Sequence, residues 1–170
     1  AIDLGGGLVL SQAGSLDGFV VKFAGQTGAY LWSKVFGGVS SDYVRGVAVD
    51  SLGDVVVVGY GYGSMDFGGG PQTSFGSSDL FLAKYAGVDG HYVWSHVLGG
   101  ASPDSAEGVA VDTNQNIFVA GGYYGTVDFG GASVTAPIDS AIYFAKYNGS
   151  GNLQWVRSVG YETANGGIGV

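Results

Sequence analysis

Apolar residues along this chain fall in short runs broken by clusters of Gly, Ser and Asp, and nowhere do they recur at the three-to-four-residue spacing of an amphipathic helix. Val55-Val56-Val57-Val58 and Ile117-Phe118-Val119-Ala120 do not alternate with polar residues, so these strands are expected to be covered on both faces. Phe19-Val20-Val21-Lys22-Phe23, Phe81-Leu82-Ala83-Lys84-Tyr85 and Tyr143-Phe144-Ala145-Lys146-Tyr147 share an aromatic, a lysine and a second aromatic. A glycine-bearing gap follows each (A-G-Q-T-G, A-G-V-D-G, N-G-S-G), and then Trp32, Trp94 or Trp155; the gap reads as a hairpin turn.

These segments recur with a period of 62 residues, and a second block recurs with them. Gly37-Gly38 through Asp42, Gly46-Val47-Ala48-Val49 and Asp50 returns as Gly99-Gly100 through Asp104, Gly108-Val109-Ala110-Val111 and Asp112. Each full unit is thus expected to hold four short strands, in the first at about 44 to 50, 54 to 62, 79 to 85 and 92 to 98, joined between the second and third by a Gly-rich connection over 62 to 78. A sheet buried on both faces needs a neighbour on each side, and radially stacked four-stranded blades supply one. The expected fold is all-β and of β-propeller type, with about 2.7 repeats of 62 residues. Its parts are a partial blade over 1–36 with the last two strands, full blades over 37–98 and 99–160, and the start of another at 161–170, all within one repeat domain.

The stretch G-G-V-S-S-D-Y-V-R-G-V-A-V-D-S-L-G-D-V-V-V-V-G-Y resembles the bacterial β-propeller repeat known as the SBBP repeat. The second copy departs from the first in carrying Glu107 in place of Arg45, and Gln115-Asn116 in place of Gly53-Asp54, which are surface and turn changes. The resemblance implies an extracellular or cell-envelope bacterial protein, of a kind usually without known enzymatic activity, and it transfers no catalytic residue. The chain begins at Ala1 with no basic or apolar leader, and aligning Trp155 with Trp94 places Gly169-Val170 on Gly108-Val109. A portion of a longer repeat array is therefore expected.

Charge narrows the partners. Six Lys plus Arg against 14 Asp plus Glu give a net charge of -8, which argues against nucleic acid as a partner. No apolar run approaches the about 18 residues of a membrane span. The absence of cysteine removes disulfides, thiol nucleophiles and Cys-based zinc sites.

The triplet Asp66-Phe67-Gly68 returns as Asp128-Phe129-Gly130, and Asp3-Leu4-Gly5 nearly copies it. In protein kinases D-F-G holds magnesium, but only alongside a phosphate-covering loop, a strand Lys paired with a helical Glu, and an H-R-D loop. None of these is in the sequence, so the aspartates are expected to cap turns whose glycines supply positive φ. Asp50 to Asp54 and Asp112 to Asn116 offer two or three oxygen ligands at hairpin spacing, fewer than a calcium loop places together; an Asx turn is expected there, and a weak calcium site is left open. His91 and His96 flank Trp94 without a repeating carboxylate beside them, which gives them no metal or catalytic role. Lys22, Lys84 and Lys146 are expected to leave the sheet or to pair with Asp42 and Asp104. Asn148-Gly149-Ser150 fits a glycosylation sequon but occupies a hairpin-turn position.

Tyr60, Tyr62, Tyr123 and Tyr124 cluster with glycine at the end of the second strands. Such loops suit stacking on sugars or packing on a partner chain, or else they cover the blade ends. The expected function is a non-catalytic, secreted or surface-exposed bacterial module that binds a protein or carbohydrate, or acts as a scaffold, through its loops, with Tyr60, Tyr62, Tyr123 and Tyr124 as candidate ligand-binding residues. No cofactor, metal or catalytic residue is expected. The alternative is a structural subunit whose blade faces join copies into a ring or filament.

Overall fold

The computed structural model describes residues 2–3, 9–10 and 15–160. Leu4 and Gly5 of the D-L-G triplet and the strand expected to start within 161–170 lie outside the described residues. Strands β1 (Ile2–Asp3) and β2 (Val9–Leu10) form a short antiparallel pair, and β3 (Gly18–Phe23) and β4 (Tyr30–Phe36) form a second. Strands β5 (Asp42–Val49), β6 (Val55–Asp66), β7 (Pro71–Tyr85) and β8 (Tyr92–Leu98) make a four-stranded antiparallel sheet in chain order. Strands β9 (Asp104–Val111), β10 (Ile117–Asp128), β11 (Ser133–Tyr147) and β12 (Leu153–Gly160) make another of the same order. Among the described residues there is no helix, and the sheets do not close on one another into a ring.

The run Val55–Val58 shows why sheets stack. Val55 and Val57 pack with Val20, Trp32 and Phe36 of the β3–β4 pair, while Val56 and Val58 pack with Ile117, Val119, Tyr143 and Tyr147 of the last sheet. Successive side chains of a strand point to opposite faces, and here each face has its own core. Removing a side chain of this size from water contributes roughly 1.5–3 kcal/mol, so a polar residue in either register would penalise one junction.

The connection over 62 to 78 is a correction to the sequence reading. It is the arms of a long hairpin: β6 runs on to Asp66 and β7 begins at Pro71, with Ser64, Met65 and Asp66 paired to Thr73, Gln72 and Pro71. The register breaks between Tyr62 and Ser64, where Gly63 with φ 67° stands opposite residues 74–77 of β7, and Gly125 with φ 64° likewise stands opposite residues 136–139 of β11. A left-handed backbone there favours glycine.

The D-F-G turn closes this hairpin and also clasps the neighbouring sheet. Oδ1 of Asp66 accepts the amides of Gly68 at 2.7 Å and Gly70 at 3.1 Å; Asp128 accepts those of Gly130 at 2.9 Å and Gly131 at 3.4 Å. The Asp66 backbone meanwhile bonds to Gly37 in both directions, and the Asp128 amide bonds to the Gly99 carbonyl. The chain leaving one sheet is thereby held to the hairpin of the next. Glycine is required beside the clasp, because a Cβ on Gly38 would sit 1.7 Å from the Ser64 carbonyl oxygen and one on Gly100 would sit 2.0 Å from that of Thr126. Phe67 and Phe129 are buried, and their carbonyls accept the hydroxyls of Tyr85 at 3.0 Å and Tyr147 at 3.1 Å.

Candidate ligand-binding surface

The four candidate tyrosines do not form one site. Tyr123 is fully buried, its ring against Phe129 and Tyr143 and its hydroxyl 2.6 Å from Ser158 Oγ. It is a core residue, which corrects the sequence reading: strand alternation turns it inward at the position where the middle sheet has Gly61. Tyr124 points outward and is 48% exposed. Tyr60 and Tyr62 lie edge to face at 6.3 Å between centroids, and among the described residues no ring contact joins them to Tyr123 or Tyr124.

Two residues missed by the sequence reading complete the surface around Tyr60. Tyr43 faces Tyr60 across the β5–β6 ladder and stacks on it at 5.0 Å. Arg45 lies over both rings, 5.9 Å from the Tyr43 centroid and 5.2 Å from that of Tyr60, and donates from Nη2 to the Tyr60 hydroxyl at 3.0 Å. Its Nε also stands 3.8 Å from Glu107 Oε2 of the last sheet. The available signal was departure from the repeat, since the last sheet has Ser105, Glu107 and Gly122 where the middle sheet has Tyr43, Arg45 and Tyr60.

The repeated acidic and basic residues belong to the scaffold. Lys84 is buried and reaches Asp50 at 2.8 Å and Asp54 at 3.3 Å, which replaces the expected pairing with Asp42 or Asp104. Burial works against the Asp50 charge, but the Lys84 ammonium and the amides of Asp54 and Leu52 outweigh it and lower the pKa. Lys22 donates to the carbonyls of Gly53 and Gly87, both at 2.8 Å, and Lys146 sits 5.6 Å from the Phe118 ring centroid. The reason is register. These lysines point toward the ends of the ladder where the turns lie, whereas Asp42 and Asp104 stand at the opposite ends of theirs.

Asp42 and Asp104 instead bind backbone, each accepting at 2.8 Å the amide of the second glycine of its G-G pair, Gly38 or Gly100. Burial raises both carboxyls to about 6, and nearby carboxylates add to this, Asp17 beside Asp42 and Asp79 beside Asp104. Asp79 is itself fully buried, accepts the Phe75 amide and is raised by burial.

The hairpin aspartates form the expected Asx turns. Asp50 Oδ1 accepts the amides of Leu52 and Asp54, and Asp112 Oδ1 those of Asn114 and Asn116. Asn148 Oδ1 likewise accepts the amides of Ser150 and Asn152. His91 is exposed against Asp89, while His96 is half-buried beside Trp94, where burial lowers its pKa. Among the described residues no group of three or more His, Cys, Asp or Glu side chains is placed to hold a metal ion, and no helix is long and apolar enough to cross a membrane.

Four-stranded antiparallel sheets packed face to face and joined in series define a repeat protein of β-propeller type. The family model of the SBBP β-propeller repeat matches residues 93–121. That stretch runs from β8 through β9 into β10, across the junction of the two four-stranded sheets. Comparison with curated proteins gave no match.

Proposed function

We propose that this protein is a non-catalytic, secreted or cell-surface bacterial repeat module, with blades of 62 residues, that binds a protein partner through the Tyr43, Arg45, Tyr60 and Tyr62 surface of its middle sheet. One observation carries the reading: Tyr43, Arg45 and Tyr60 have no like residue at the matching positions of the last sheet, so the scaffold does not need them. Tyrosine and arginine are the side chains that most often concentrate binding energy at interfaces. Arg45 is preordered by the Tyr60 hydroxyl and by Glu107, which reduces the entropy lost on docking. A protein partner suits the geometry better than a sugar, because the faces of Tyr43 and Tyr60 are turned to each other and leave chiefly Tyr62 for stacking. The secreted or surface location rests on the family resemblance.

The test compares wild type with Arg45→Ala and Tyr60→Ala, each first shown to be folded by circular dichroism. Partners retained from envelope and culture-medium fractions and identified by mass spectrometry should bind at least about tenfold more weakly to either variant, or about 1.4 kcal/mol. Undiminished binding would overturn the assignment, and a glycan-array signal lost in the variants would move it to a carbohydrate.

A further inference from the structure

Tryptophans of successive sheets donate into hairpin turns one sheet further on. Trp32 of β4 donates its indole N–H at 3.1 Å to the carbonyl of Gly87 in the β7–β8 turn, and Trp94 of β8 donates at 3.2 Å to that of Gly149 in the β11–β12 turn. Each ring also rests on a later glycine of the same turn: a Cβ on Gly90 would lie 2.7 Å from the Trp32 ring, and one on Gly151 would lie 3.1 Å from the Trp94 ring. The two turns differ at the residue before the receiving carbonyl. It is Ala86 in the first and Asn148 in the second, with Ala24 at the matching place of the β3–β4 turn.

Asn148 is arranged for attack on its own side chain. Its Oδ1 accepts the amides of Ser150 at 3.1 Å and Asn152 at 3.0 Å, which settles which end of the carboxamide is oxygen. These two N–H groups polarise the Cγ carbonyl and point at the oxygen that would gather negative charge if Cγ were attacked. An Asx turn also folds the side chain back over the peptide that follows it, the approach a ring closure needs. No side chain at Gly149 shields its nitrogen, and among the described residues its N–H donates to no protein group. Nδ2 of Asn148 has no protein partner there either, and Ser150 is exposed, so the leaving group and water both have access. Of the described asparagines, Asn114, Asn116, Asn148 and Asn152, this one alone precedes glycine.

We propose that Asn148-Gly149 is a self-modification site, at which the Gly149 nitrogen attacks Cγ of Asn148 and forms a cyclic imide. The Gly149 N–Cγ bond forms, the Cγ–Nδ2 bond breaks, and the proton lost by the Gly149 nitrogen leaves with Nδ2 as ammonia. Water then opens the imide. Addition at Cγ breaks the new bond and gives aspartate; addition at the main-chain carbonyl breaks the original peptide bond and gives isoaspartate, whose backbone runs through Cβ and Cγ. Aspartate keeps the turn, since Asp50 and Asp112 cap theirs through the same pair of amides. Isoaspartate lengthens the main chain just before the Gly149 carbonyl and draws that acceptor away from Trp94. The junction between the two four-stranded sheets is thus chemically timed, and the Trp32 junction, with Ala86, is not. This site is separate from the tyrosine surface, and its reaction does not depend on the partner proposed there.

Incubation of the folded full chain at neutral pH and physiological temperature, sampled over weeks, tests it. Trypsin then releases residues 147–157 as one peptide, which separates Asn148 from the other Asn-Gly pair, Asn165-Gly166. That peptide should give two products, each heavier by the difference between OH and NH2, one of them a substrate for an isoaspartyl methyltransferase. The rate should lie within about tenfold of that of the same peptide free in solution, and Asn148→Gln and Gly149→Ala should each slow it at least about tenfold. Gly149 has no positive φ and its Cβ would meet only Gln115, at 3.0 Å or more, so the turn accepts alanine. In NMR spectra of the indole N–H groups, with Trp94→Phe as the assignment control, the Trp94 signal should move in the isoaspartate fraction and stay in place in Asn148→Asp. Asn148 left intact in the folded chain would overturn the proposal. Conversion that leaves the Trp94 signal unmoved, or an equal movement in Asn148→Asp, would overturn the effect of the lengthened chain on the junction.

Discussion

Asp42 and Asp104 each serve one function and weaken another. Their carboxylates tie down the glycine pair that leads into their sheet, yet they are 3% and 2% exposed, with a second carboxylate close by. Burial lifts each from the ordinary 3.8 to about 6, so between those values the folded chain holds more protons than the unfolded one. Stability then falls as pH rises through that window, and it rises as pH is lowered from 7 towards 5. Asp50 has the opposite sign, since its lowered pKa contributes stability that is lost as pH falls further. The expected outcome is a Tm that climbs by a few degrees from pH 7.5 to about pH 5 and then drops. In the Asp42→Asn/Asp104→Asn double variant the climb should flatten, and a Tm-pH curve unchanged by the double substitution would contradict the account.

At the scale of elements, the core ends of the strands were legible and their outer ends were not. Val55–Val58 announce two-sided burial by their composition and are buried throughout, whereas in Ile117–Ala120, read the same way, Phe118 is only half-buried. The distal arms look like loop because Ser64, Gln72, Thr73, Ser74 and Ser77 are polar and glycine interrupts them; Ser64–Asp66 pair with Pro71–Thr73, and of these only Met65 is buried. The tyrosine surface was half legible for a related reason. Tyr43 and Tyr60 are 17 residues apart, and only the register of β5 against β6 brings them together. The D-F-G turn was correctly read as a cap from Asp followed by glycines, but its backbone clasp to Gly37 could not be read, because main-chain pairing leaves no mark in side-chain identity. Asp66→Ala removes two hydrogen bonds from an exposed turn while sparing the clasp. It should lower unfolding free energy in urea by about 1 kcal/mol, and wild type should give no saturable heat when titrated with calcium or magnesium. A saturable signal lost in Asp66→Ala would restore the metal-ligand reading.

For the whole molecule, position in the series governs stability. Among the described residues the middle sheet is packed on both faces, whereas the β3–β4 pair and the last sheet are each packed on one. In such serial architectures each unit's stability combines its own with that of its nearest neighbours. Hydrogen exchange should therefore be slowest at the amides of Val56, Val57 and Val58 and at Leu82 and Ala83. It should be fastest in β3, β4 and β12, strands of the end units that each pair along one edge among the described residues. Equal protection across all sheets would show one cooperative unit rather than a series.

The tryptophan contacts also set an order of events on the ribosome. Trp32 finds its carbonyl 55 residues further along the chain, and Trp94 finds its own at the same remove. At about 5–20 residues per second of synthesis, each finished strand waits roughly 3–11 seconds before the turn that locks it has been made. During that interval the newest sheet has only its predecessor to lean on. The nascent chain consequently matures from its amino end, one sheet behind the point of synthesis, and always carries one unlocked indole at its growing edge.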